Sequence, residues 1–201
     1  MSIEKNLITG LILSGGRGSR MGLVDKGLQV FRGQPMVQQV LRRLQPQVGG
    51  VMINANQHIA EYASLGCPVW PDEIKDFAGP LAGLQAGLAH CETPYLVTAP
   101  CDSPLLPENL VSRLAEALLE HQADLAVACT GSAESKQTHP VFCLLKTECG
   151  PHLNDYLLKG GRKLASWYES LNVIEVFFED ESSFANINTL EELKTLSQAS
   201  R

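Results

Sequence analysis

The sequence predicts an α/β protein built on a mostly parallel sheet, and three observations carry that prediction. Six short apolar runs recur along the chain, each too short for a helix and bounded by polar or turn residues. Helical patterns lie between them, so strands and helices alternate, as a parallel sheet requires. A glycine-rich stretch follows the first run directly, where a strand would pass into a helix. The 201 residues fit one domain with a sizeable core, and neither an internal repeat nor a low-complexity segment interrupts them.

Taken in order, strands are predicted over 7–13 and 51–54, and Cys67-Pro68-Val69 leads into the turn Trp70-Pro71-Asp72. The next strand is predicted over 95–98. The clearest helix spans 107–122, where Leu110, Leu114 and Leu118 recur every four residues with Val111 on the same face, the stripe that packs on a sheet. Pro107 and Glu108 suit its first turn. Strands follow over 125–129, 141–145 and 173–178, with a polar loop over 131–138. The last helix opens on Thr189-Leu190-Glu191-Glu192, a capping box.

Composition excludes several classes. Sixteen lysines and arginines against 22 acidic residues give a net charge of -6, which argues against nucleic acid or anionic membrane as a partner. The chain shows no basic leader with an apolar core, and no apolar run approaches the roughly 18 residues that span a bilayer. A cytoplasmic location is therefore expected. The cysteines at 67, 91, 101, 129, 143 and 149 form no close pair and have no histidine at ligand spacing, so zinc is disfavoured and they read as small apolar residues. Cys101 stands beside Asp102 but lacks a histidine nearby in sequence to activate a thiolate.

In a parallel sheet, ligands bind beyond the carboxyl ends of the strands. Four motifs fall there: the stretch 14–26, Asn54-Ala55-Asn56, Trp70-Pro71-Asp72 and the segment 99–104. The first reads SGGRGSRMGLVDK. Its glycines at 15, 16 and 18 let a backbone approach a ligand closely, and Arg17, Arg20 and Lys26 can neutralise phosphate, which points to a nucleoside triphosphate. A dinucleotide fingerprint fails, because Met21 stands where the third small residue belongs and Gly22 comes one place late. A P-loop fails as well, for want of Gly-Lys-Ser or Gly-Lys-Thr. Asp102 follows the apolar run over 95–98 and suits a hard cation.

LSGGRGSRMGLVDK resembles the signature of nucleotidyltransferases with a Rossmann-like fold, departing only at Ser14, where alanine is usual. VDKGL at 24–28, INANQ at 53–57, DFAGPLAGL at 76–84, APCDSPLLP at 99–107, HPVF at 139–142 and NINTLEEL at 186–193 narrow the resemblance to the molybdenum cofactor guanylyltransferase family, over essentially the whole chain. The resemblance implies a single nucleotidyltransferase domain over 1–201, a three-layer sandwich of the nucleotide-diphospho-sugar transferase type. It also implies transfer of GMP from GTP to the terminal phosphate of molybdenum-molybdopterin, giving molybdopterin guanine dinucleotide and pyrophosphate, with Mg2+ as cofactor. Leu13, Ser14, Gly15, Lys26, Asn54, Asp72 and Asp102 would contact GTP, and Asp102 would also bind the metal. Arg20, Lys26 and Asp102 would serve catalysis, Asn186 and Asn188 would lie near the pterin, and molybdoenzyme precursors or their chaperones would receive the product.

Plainer readings stay open on the sequence. Asp72 also fits a turn former, Asn186 and Asn188 also fit turn residues, His139 also fits a satisfied loop histidine, and Arg162 with Lys163 also fits a solvated face. A cytidylyltransferase or a sugar-phosphate enzyme would use the same loop. A GTP-binding carrier without turnover is disfavoured by Arg20, Lys26 and Asp102, and a nicotinamide oxidoreductase by Asn54-Ala55-Asn56 at the end of the second strand, where an acidic residue belongs.

Overall fold

The computed structural model describes residues 2–14, 25–74, 79–132, 135–187 and 192. The first half carries β1 (Ile8–Leu13), a hairpin of β2 (Val30–Phe31) and β3 (Gln34–Pro35), α1 (Met36–Leu44), β4 (Gly50–Asn54), α2 (Ile59–Ala63), β5 (Val69–Trp70) and α3 (Pro80–Ala89). The second carries β6 (Tyr95–Pro100), α4 (Leu110–Glu120), β7 (Leu125–Thr130), β8 (Gln137–Lys146), α5 (Gly150–Leu158), α6 (Leu164–Tyr168) and β9 (Val173–Phe177).

Among the described residues, seven strands form one sheet in the order β5-β4-β1-β6-β8-β7-β9. β1 pairs in parallel with β4 and β6, β4 with β5, and β7 with β9, whereas β8 runs antiparallel to both its neighbours. Six strands therefore point one way, and their carboxyl ends share one edge of the sheet. The sheet is mostly parallel, as predicted.

Side chains alternate across it with the period of a strand. Ile8 and Ile12 of β1, Val97 and Ala99 of β6, and Ala126 and Ala128 of β7 face a core shared with α1, α4 and Tyr62 of α2. Leu11, Leu96, Leu125 and Val127 face the other core, with α3, α5 and α6. Helices on both faces make the three layers. α3 is buried at every position from Leu81 to Leu88, so it shows no amphipathic stripe, and two glycines bring it close to the sheet. A Cβ on Gly83 would overlap the Asn54 side chain, and one on Gly87 would overlap that of Leu11. Gly79, at φ +139° just before Pro80, sets the entry into this helix.

Two departures from the predicted boundaries have a clear physical cause. The helix predicted over 107–122 starts at Leu110, because Pro107 is drawn into a turn: its carbonyl accepts from Leu110 N–H at 3.2 Å and from Gln47 Nε2 at 2.9 Å. The strand predicted over 141–145 is longer, since Gln137 and Thr138 of the predicted loop 131–138 belong to β8, paired with Thr130 and Cys129. The predicted closing helix lies outside the described residues apart from Glu192, which is helical. Among the described residues no helix is long and apolar enough to cross a membrane.

Candidate functional site

The carboxyl ends of β1, β4, β5 and β6 bring together the described residues of the four predicted motifs. β1 ends at Leu13, whose carbonyl accepts from Cys101 N–H at 3.0 Å, and Ser14 N–H donates to the Asn54 carbonyl at 2.8 Å. The chain leaving β1 is therefore held between the chains leaving β4 and β6. This continues the parallel ladder by one residue on each side, which is why apolar runs of matched length place Ser14, Asn54 and Cys101-Asp102 side by side.

Asn54 is buried, with only 1% of its surface exposed, and its amide is fully directed: Nδ2 donates to the Trp70 carbonyl at 3.1 Å and to Asp72 Oδ1 at 2.9 Å. Asn56 donates to the other Asp72 oxygen at 2.8 Å and accepts from Asp72 N–H at 2.8 Å. Asp72 is thus fixed by two amides rather than acting only as a turn former. A carboxylate has about four acceptor positions, so two amide donors leave it able to accept from a ligand.

Across β1 from this pair, Lys26 Nζ lies 3.4 Å from Asp102 Oδ2, with both side chains largely buried. Burial pushes the Asp102 carboxyl above its usual range, and the Lys26 ammonium only partly opposes that shift. A carboxylate largely withdrawn from water beside a lysine fits a divalent cation bound there. Among the described residues no three histidine, cysteine or acidic side chains gather to hold a metal alone. A single carboxylate joined by substrate phosphates is the usual habit of magnesium, and Asp102 is a carboxylate of that kind.

Cys101 points into the core. Burial, with the Asp102 carboxylate beside it, pushes its thiol up to about 12, which removes it from nucleophilic chemistry near neutrality. Asn186 Oδ1 accepts from Ser103 Oγ at 2.6 Å, and Ile187 N–H donates to the Asp102 carbonyl at 2.9 Å, so the segment 186–187 hangs on the Asp102 loop. His139 stands apart, its Nε2 2.8 Å from Thr130 Oγ1 and its ring stacked on Phe184 with centroids 4.7 Å apart. Arg162 donates to the carbonyls of Leu157 and Gly161 at the end of α5. Gly15, Arg20 and Asn188 lie outside the described residues.

Two residues of this edge escaped the sequence reading. Asp25 accepts from Gly27 N–H at 3.0 Å and from the Tyr62 hydroxyl at 2.6 Å, and that hydroxyl is also hydrogen-bonded to Ser14 Oγ. Asp25 precedes Lys26 in the signature and carried that much signal. Tyr62 carried none, since an aromatic residue in a short helix reads as core.

A mostly parallel sheet whose first strand is followed in sequence by a glycine-and-cation signature, with a carboxylate–lysine pair at the strand ends, defines a protein of the nucleotidyltransferase class. A family model described as MobA-like NTP transferase domain matches residues 10–173, and the chain belongs to that family. A protein named molybdenum cofactor guanylyltransferase from Cupriavidus necator is 55% identical over 194 residues, covering 96% of this chain and 98% of that one. One of the same name from Bordetella pertussis is 53% identical over 194 residues, with 96% and 98% covered. The fold is shared with molybdopterin-guanine dinucleotide biosynthesis protein A from Archaeoglobus fulgidus, at a TM-score of 0.75 and 24% identity, covering 94% of this chain and 96% of that one. It is shared too with 4-diphosphocytidyl-2C-methyl-D-erythritolsynthase from Anaerococcus prevotii, at a TM-score of 0.76 and 12% identity, covering 96% and 98%.

Proposed function

We propose that this protein transfers GMP from GTP to the terminal phosphate of molybdenum-molybdopterin, forming molybdopterin guanine dinucleotide and releasing pyrophosphate. Relatives more than half identical over nearly their whole length bear the name of that activity. The observation that carries the chemistry is the desolvated Asp102 carboxylate 3.4 Å from Lys26, beside the end of β1.

In this reading an oxygen of the pterin phosphate attacks the α-phosphorus of GTP in line, and the bond from that phosphorus to the bridging β-oxygen breaks. The nucleophile is already an anion, so no side chain has to remove a proton, and the protein acts by positioning and by neutralising charge. Lys26, with Arg20 of the same signature, meets the charge that gathers on the departing pyrophosphate. Asp102 holds the divalent cation, which we assign as Mg2+, and that ion supplies charge neutralisation on phosphate oxygens. Leu13, Ser14 and Gly15 offer main-chain groups to the nucleotide. Asn54 and Asp72 face the base: a carboxylate accepts from both the N1–H and the N2 amino group of guanine, a pair of donors that cytosine does not present. Asn186 and Asn188 serve the pterin side, and the product passes to molybdoenzyme precursors or their chaperones in the cytoplasm.

The test is magnesium-dependent pyrophosphate release from GTP, CTP, ATP and UTP, each with and without molybdenum-molybdopterin. Release with GTP alone, and only when the pterin is present, is the expected result. Release with CTP would move the assignment to a cytidylyltransferase, and tight GTP binding without release under saturating pterin would overturn the catalytic reading.

A further inference from the structure

Tyr62 of α2 is fully buried, and its hydroxyl sits between Ser14 and Asp25. The directions of these hydrogen bonds follow from their chemistry. Asp25 as a carboxylate only accepts, so the single phenol hydrogen goes to its Oδ1, 2.6 Å away, and the Ser14 hydroxyl must donate to the phenol oxygen. Burial raises the phenol's pKa above its ordinary value, and the Asp25 carboxylate adds to the effect, which keeps that hydrogen in place. Ser14 and Asp25 are the residues immediately before and after 15–24, the glycine-and-arginine segment of the signature.

Both partners are anchored elsewhere as well. Ser14 is tied to β4 through its N–H, and Asp25 Oδ1 also accepts from Gly27 N–H at 3.0 Å. Gly27 makes room for the arrangement: a Cβ there would lie 2.5 Å from the Tyr62 oxygen, 2.9 Å from Ser14 Oγ and 3.2 Å from Cys101 Cβ. A tyrosine needing only a partner for its own hydroxyl would be satisfied by one acceptor. This one spans two segments separated by ten residues, with a glycine keeping the space beside it open.

We propose that Tyr62 is a positioning residue, which clasps the chain entering the signature segment to the chain leaving it and so sets where Lys26 stands relative to Leu13 and Ser14. The inference rests on the reading above that these residues hold the GTP triphosphate. Without the clasp, the two chain ends must be brought into place by the nucleotide, and ordering them at that moment weakens binding. The loss appears in affinity for GTP, whereas pterin affinity is untouched.

The test uses the full chain as wild type, Tyr62→Phe, Asp25→Ala, Asp25→Asn and the Tyr62→Phe/Asp25→Ala pair. GTP affinity is measured by calorimetry without pterin, and the steady-state constants from pyrophosphate release. Tyr62→Phe and Asp25→Ala are each expected to weaken GTP binding by about tenfold, the scale of one hydrogen bond to a charged group. The double variant is expected to be no weaker than either single one, because both changes open the same link. Asp25→Asn keeps an Oδ1 acceptor and should restore most of the affinity, and KM for the pterin should stay constant throughout. Wild-type GTP affinity in Tyr62→Phe, or losses that multiply in the pair, would overturn the clasp while leaving the function intact. Should Tyr62→Phe fail to fold, the contrast between Asp25→Ala and Asp25→Asn decides the matter, and equal affinity in those two overturns the proposal. Failure of the wild type itself to bind GTP would overturn the functional reading, and the clasp with it.

Discussion

Gly83→Ala probes the close approach of α3 to the sheet, and its outcome follows from three opposed terms. Alanine is the better helix residue, and inside α3 it should gain about 1 kcal/mol over glycine. Against this, the added methyl would overlap Asn54 Oδ1 and lie 2.7 Å from Leu13 Cδ2 and 2.8 Å from Asn54 Cγ. Asn54 is 1% exposed and has nowhere to retreat. Overpacking of this kind costs about 1–3 kcal/mol, and displacing Asn54 breaks its bonds to the Trp70 carbonyl and Asp72, at about 1 kcal/mol each. The net is a loss of roughly 2–4 kcal/mol, which in a chain of this size lowers Tm by about 4–16 °C. Because Asn54 shares the site edge with Ser14, KM for GTP should rise as well. Gly150→Ala is the control: it opens α5, and the nearest atom to an added Cβ is Leu88 Cβ at 3.8 Å, an ordinary contact. Tm should hold or rise there. Thermal unfolding of the two variants, with GTP titration of each, decides it. If Gly83→Ala melts at or above the wild type and binds GTP normally, the packing argument is wrong.

Three shorter predictions follow from the site and its surroundings. Asp102→Ala should lose pyrophosphate release while its circular dichroism spectrum shows the fold kept, with some loss of Tm because Lys26 is left without its partner carboxylate; near-normal turnover would refute the metal role. His139 has its pKa lowered by burial, with the Glu181 carboxylate opposing that in part, so the folded protein takes up its proton less readily than the unfolded chain. Its neutral form is stable above the unfolded value near 6.5, and stability should fall as pH drops through that value and towards the folded one. Tm measured from pH 7.5 to 5.5 should fall less steeply in His139→Gln than in the wild type, and identical slopes would contradict the assignment. Cys101, with its thiol pushed up to about 12, should resist iodoacetamide at pH 8 in the native protein, as read by mass spectrometry, and Cys101→Ala should keep turning over.

Much of this fold was legible because six of the strands carry apolar runs bounded by turn residues. β1 ends at Leu13 and β4 at Asn54, where the sequence placed them, since burial on both faces leaves a continuous apolar signal. β8 was legible only in its apolar half. Gln137, Thr138 and His139 carry no apolar alternation, and their place in the strand comes from pairing with β7, past an irregularity between Val127 and Ala128. The β2–β3 hairpin turns on Arg32 at φ +49° and Gly33 at φ +81°, and arginine in that conformation gives no turn signal of its own. The candidate site was legible where a motif closes a strand: Asn54 ends β4 and Asp102 follows β6, at the same edge of the sheet. Tyr62 was not, because its role depends on a contact between α2 and two segments far from it in the chain.

A chain of net charge -6 that takes a nucleoside triphosphate and a pterin phosphate faces a charge problem, and the site answers it locally. Fields from the distant surface are screened within about 8–10 Å, so the balance is struck among groups at the strand ends. Asp72 is met by two amides, which orient it and leave acceptor positions open. Among the described residues Asp102 is met by the Lys26 ammonium, and its burial fits a divalent cation beside it. Under the proposed reaction that cation and the triphosphate each make the site more favourable for the other, a coupling that must be reciprocal. Magnesium should then tighten GTP by the same factor that GTP tightens magnesium, and neither alone should saturate the site at the concentrations that suffice for both.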